Sequence, residues 1–185
     1  MSRTVWNVAH PRLTGTELFE LEERDSDVVL SGWVVAAVEG TPCAVSYEVV
    51  ADPGWVTRHV AITLASDSDR ALSISHDGEG SWSVDGVPRP DLASCRDVDL
   101  GISPSTNTLP IRRLQMGVGD GAHLDAAWVR FPQMTVEVLS QRYVRIGDSS
   151  YRYSSANFHR NLEVDGDGVV VRYGDDLWQA VDLRG

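Results

Sequence analysis

Acids and arginines crowd into one segment, Cys95-Arg-Asp-Val-Asp-Leu100 running on to Ser103-Pro-Ser-Thr-Asn-Thr-Leu-Pro-Ile-Arg-Arg-Leu114. Two prolines bracket a polar stretch there, and Asn107 can lock a turn through its own side chain. If the residues after Pro110 form a strand, Arg112 and Arg113 point to opposite faces, so one of them faces the interior. A buried guanidinium requires a carboxylate partner, and Asp97 and Asp99 are the candidates. Such a pair has two uses. It is a structural ion pair beneath a long loop, or it is a polar anchor at the floor of a ligand cavity. Six tryptophans fill cores or form flat walls against sugar faces and acyl chains. Trp55, Trp82 and Tyr143 are the candidate walls.

Other constellations carry less. Asp165-Gly-Asp-Gly168 has the start of a calcium loop but continues as Val169-Val-Val171, without the further ligands and terminal glutamate that ion needs. A hairpin turn is the expected reading. Gly117-Val-Gly-Asp-Gly121 is as glycine-dense as a phosphate loop, yet the next residues read as a strand rather than the helix whose N-terminus would meet a phosphate. The five histidines stand apart, no GxSxG occurs, and no metal or cofactor site is expected. Cys43 and Cys95 lack metal spacing and are expected to be buried free thiols.

The elements that position these residues are strands. Period-two alternation recurs in Val45–Val49, Val56–Leu64, Phe158–Val164 and Val169–Tyr173, broken every eight to fifteen residues by turn signals. Arg58 interrupts the apolar face of its run. Asp85-Gly86 is a hairpin tip, because a type I′ turn needs positive φ. In Thr135–Val144 the apolar phase switches, which predicts a bulge or corner near Ser140. The run Val56–Ala65 also fits a short helix, but no long amphipathic helix is written anywhere. The fold class is therefore all-β and mainly antiparallel. Its edges must be managed by a strongly curved sheet or split half-barrel, with at most one or two short helices.

Length and composition set the bounds. The 185 residues suit one domain spanning 1–185, large enough to bury about 70% of the unfolded chain's surface. Twenty-seven acids against 16 bases, all arginine, give a net charge of -11, which argues against nucleic acid and anionic bilayers as partners. No run approaches a membrane span or an export signal, so a cytoplasmic location without stable membrane insertion is expected.

The segment Cys95–Leu114, with Tyr47, Trp55-Val-Thr-Arg58, Gly80-Ser-Trp-Ser-Val-Asp-Gly86, Gln141-Arg-Tyr143 and Tyr151-Arg-Tyr153, resembles the glycolipid-binding family over nearly the whole chain. That is a group of uncharacterised bacterial proteins also filed as a domain of unknown function. The resemblance implies an antiparallel fold curved like the periplasmic carriers that ferry lipoproteins, and it implies no catalytic residues. The expectation is a binding protein that holds a glycolipid or other amphipathic ligand in a cavity of its curved sheet. Trp55, Trp82 and Tyr143 would form the walls, and Asp97, Asp99, Asn107, Arg112 and Arg113 would hold the polar head. Two other readings stand beside it: a sugar- or ester-modifying hydrolase with Asp97 or Asp99 as general base, and a structural partner-binding module.

Overall fold

Alternation along the chain becomes fifteen strands in the computed structural model, which describes residues 1–65 and 70–181. The first eight are β1 (Ser2–His10), β2 (Leu13–Glu23), β3 (Val28–Val38), β4 (Thr41–Ala51), β5 (Thr57–Ala65), β6 (Arg70–His76), β7 (Trp82–Val84) and β8 (Val87–Pro88). After a 3₁₀ turn, Pro90–Leu92, come β9 (Cys95–Leu100), a second 3₁₀ turn, Ser105–Asn107, the helix α1 (Thr108–Leu114), β10 (Gly121–Arg130) and β11 (Thr135–Arg145). The chain closes with β12 (Ser150–Ser155), β13 (Phe158–Val164), β14 (Val170–Tyr173) and β15 (Gln179–Ala180). All join one open, curved sheet in the order β8-β7-β6-β5-β4-β3-β2-β1-β15-β14-β13-β12-β11-β10-β9.

Neighbouring strands pair antiparallel except β9 and β10, which run parallel. A parallel pair needs a crossover rather than a hairpin. The segment from Gly101 to Asp120 supplies it and carries α1. The residues after Pro110, weighed above as a strand, form a helix. The signals are local: Pro110 sits in the first turn, where a missing N–H costs little. Arg112 and Arg113 sit in the last turn, where cations complement the exposed carbonyls, and Gln115 ends it in the left-handed region at φ 45°.

Two bulges explain breaks in the alternation. Val50 pairs with His59 and Ala51 with Thr57, so Arg58 is the extra residue; Thr57, Val60, Ile62 and Leu64 then share the inward face. The ambiguous run is a strand. The bulge expected near Ser140 is not there, and the second bulge lies in β9, two strands from β11. The β10–β11 ladder runs unbroken through Asp125 and Ser140. In the β9–β10 ladder Cys95 pairs with Asp125 and Asp97 with Ala126, skipping Arg96. That slip turns Cys95, Val98 and Leu100 toward one buried cluster and frees Asp97 and Asp99 to face the crossover.

Asp85 and Gly86 have φ of 50° and 78°, as a type I′ tip requires. Asp165 spends its Oδ1 on the amides of Asp167 and Val169, and the segment is the β13–β14 turn. Gly117–Gly121 leads into β10 as read. Among the described residues no group of histidine, cysteine or carboxylate side chains is placed to hold a metal. No helix there is long and apolar enough to cross a membrane. Both cysteines are free and buried.

The sheet bends until its two ends meet. The Val98 amide donates to Thr57 Oγ1 at 3.0 Å and the Trp82 indole donates to the Cys95 carbonyl at 3.3 Å. Side chains bridge the seam instead of a strand ladder. Inside, the larger cluster joins β1–β7 and β9–β11 to Ile102 and Leu109 of the crossover. A smaller one joins Ile111 to Tyr143, Tyr151, Tyr153, Leu162 and Val170.

Candidate functional site

The crossover brings five of the expected residues together. Arg113 donates from Nε to Asp97 Oδ1 at 3.2 Å and from Nη2 to Oδ2 at 2.5 Å, and the Asp97 side chain is only 2% exposed. Burial raises the Asp97 pKa against the opposing pull of Arg113. Half-buried Asp99 accepts from Gln141 Nε2 at 2.5 Å, and desolvation pushes its carboxyl up to about 6. Asn107 donates to the Pro104 carbonyl at 2.9 Å and accepts from the Tyr143 hydroxyl at 2.8 Å. Asp97, Asp99, Asn107 and Tyr143, with Gln141 and Thr106, surround a cavity of ≈ 10 Å³. A void of about 10–15 Å³ holds one water. The polar cluster has therefore assembled, but without room for a head group.

The remaining three lie outside that cluster. Arg112 stacks over the Trp55 ring at 4.4 Å and reaches Glu23 at 3.1 Å and the Asp167 carbonyl at 3.0 Å. Trp82 stacks on His76, its ladder partner on β6, ring centroids 4.1 Å apart. Trp55, Trp82 and Tyr143 are each under 10% exposed and packed on protein. The concave side of the sheet, where an acyl cavity was expected, is filled by Ile102, Leu109 and Ile111 of the crossover. The two arginines do diverge, but because adjacent residues on a helix turn about 100° apart, not because a strand alternates.

Sequence reasoning missed two features. Glu17 on β2 is fully buried, its Oε1 accepting from the Tyr47 hydroxyl at 2.5 Å and from Ser103 Oγ at 2.7 Å, while Oε2 has no protein partner. Burial pushes its carboxyl up to about 8, so it is protonated at neutral pH. The signal was present: Glu17 falls in phase with the inward Phe19 and Leu21. The second feature is a cleft of ≈ 640 Å³ over β12–β14 and the turn that follows β14. Arg152, Arg160 and Arg172 line it against Glu163, Asp175 and Asp176, with His159 and Asn161 between. Arg160 forks onto Asp176 at 3.0 and 2.9 Å, and Arg172 pairs with Glu163. Nothing local could have revealed it, since three strands and a turn contribute to it.

Fold and sites together define a curved all-β protein whose interior is closed by its own crossover and whose open cleft, on the outer face of β12–β14, is polar. Residues 3–180 match the family described as "Putative glycolipid-binding", and the chain belongs to that family. A crystal structure of a DUF1089 family protein from Pseudomonas aeruginosa is similar to it, with 29% identity and a TM-score of 0.76, covering 86% of this chain and 90% of that one. No curated protein matches the chain.

Proposed function

We propose that this protein binds an amphipathic ligand of the glycolipid class and grips it by the sugar head group, in the cleft over β12–β14. The cleft's volume of ≈ 640 Å³ carries the reading, because small-molecule sites occupy about 300–1,000 Å³. Its chemistry supports the same ligand. Three guanidinium groups and three carboxylates balance within a molecule of net charge -11. A sugar hydroxyl both donates and accepts, so a neutral lining of mixed donors and acceptors complements it better than an anion or a cation would. The acyl chain stays outside, since the ≈ 10 Å³ left beneath the crossover excludes it.

Octyl glucoside and octyl maltoside below their critical micelle concentrations, titrated by calorimetry, test this. Saturable binding is expected, weakened about tenfold by Arg152→Ala or Arg160→Ala, on the scale of one lost charge-assisted hydrogen bond. Octyl sulfate should bind less well. Binding of the glycosides that ignores both variants would remove the cleft from the reading.

One observation favours a second reading, hydrolysis with Asp99 as general base. Its carboxyl is pushed up to about 6 and faces a water-sized cavity shared with Tyr143 and Asn107, and bases near operating pH are the efficient ones. Product release from glycoside or ester substrates, abolished by Asp99→Asn, would establish it over simple binding.

A further inference from the structure

Charged residues make up 23% of this chain, yet one broad face of the sheet has none. The outward residues of β1–β5 fall into rows across the strands. One row runs through Leu18, Trp33 and Ser46, and the next through Thr16, Val35 and Ala44. A third row, through Thr14 and Ala37, is likewise uncharged; charges return beyond the first row as the Arg3–Glu20 pair and Glu48, and beyond the third at the turn residues Arg12 and Glu39. At the centre, Trp33 is 53% exposed and Val35 68%, with Leu18 at 40%. The other tryptophans are buried or, for Trp128, half-buried beneath Arg130. Tryptophan on an uncharged surface is the composition of a membrane interface, where the ring sits among head groups.

The shape selects the occupant. This is the outer, convex side of the curved sheet, and its three partly exposed apolar side chains, Leu18, Trp33 and Val35, offer far less than the roughly 800 Å² per partner that a stable dimer buries. Two copies would also each bring a net charge of -11. A lipid surface deforms around a convex face and has no such charge when its lipids are zwitterionic. We infer that the face centred on Trp33, Val35 and Leu18 docks this protein reversibly onto uncharged lipid bilayers. The docking uses none of the cleft's residues and stands whether or not a sugar binds there.

Vesicles of phosphatidylcholine without glycolipid, some brominated on the acyl chains, are the probe. The emission of Trp33 should shift to the blue and be quenched by the brominated lipid, while the buried tryptophans stay silent. Trp33→Ser should abolish the quenching, and Val35→Ser, which keeps the reporter, should weaken vesicle binding at least fivefold without altering thermal stability. Phosphatidylglycerol vesicles should bind less than phosphatidylcholine at low salt. Absence of quenching at millimolar lipid, or vesicle binding by sedimentation undiminished in both variants, would overturn the inference. So would a dimer seen by analytical ultracentrifugation that Trp33→Ser dissociates, which would assign the face to a second copy of the chain.

Discussion

Glu17 is the residue whose chemistry departs furthest from its type. Tyr47 and Ser103 both donate to one carboxyl oxygen, but these bonds do not offset the loss of water around the charge. The proton is therefore held up to about pH 8 in the folded state against an ordinary 4.5. A raised carboxyl pKa stabilises the fold below the unfolded value, and that contribution is lost as pH rises through the folded one. Asp99 acts in the same direction but only up to about 6, while Asp97 is also raised and His76 lowered, so the part of the slope between pH 6 and 8 that Glu17→Gln removes is the part that belongs to Glu17. Urea midpoints should fall across that range, by roughly 3–5 kcal/mol over the whole window from 4.5 to 8. Glu17→Gln, which mimics the protonated form, should flatten the slope and be the more stable protein at pH 8.5. An unchanged slope in the variant would show that Glu17 is ionised in the fold. At this scale the sequence was informative about types and poor about partners. Asp97 with Arg113 was among the pairings expected, whereas Gln141 on Asp99 joins two strands remote in sequence and Tyr143 on Asn107 joins a strand to the turn before α1.

The element that decides the architecture is α1. It is seven residues long, too short to be stable alone, and its order comes from Leu109 and Ile111 entering the two clusters and from its arginines. Arg113→Ala would leave Asp97 buried without a cation, costing roughly 3–5 kcal/mol. The loss should shrink toward acid pH as Asp97 takes up a proton. Arg112→Ala removes a half-exposed ion pair and the stacking on Trp55, together about 1 kcal/mol. Equal losses in urea denaturation would mean that Asp97 tolerates isolation. That strand and helix could not be told apart in this segment from its sequence has a plain cause. Seven residues around a proline carry less than two turns of periodicity, too few to separate a period of 3.6 from one of 2. The strands fared better, because nine to eleven residues with a buried face repeat the alternation several times, and even the Arg58 bulge showed as a break in phase.

Across the whole molecule, one continuous sheet carries both hydrophobic clusters, and the crossover touches both. We expect the clusters to melt together: tryptophan fluorescence, dominated by the larger cluster, and near-ultraviolet tyrosine dichroism from the smaller one should give coincident transitions. Separate midpoints would divide the chain into two folding units at the β14–β15 junction, where the ladder is a single residue pair.

What the amino-acid sequence determined by itself was whatever depends on neighbours in the chain. It specified the antiparallel strands, the Asp85-Gly86 tip, the Asp165 turn, and the family, through a string of residues unusual enough to be specific. Tertiary structure alone decided which side of the sheet is open. The interior expected to hold a ligand is filled because the parallel β9–β10 pairing forces the chain across the concave side, and pairing direction is set by contacts remote in sequence. The cleft over β12–β14 and the uncharged face around Trp33 likewise exist only once strands lie side by side. Surface shape and patch composition are sums over residues that no local pattern brings together.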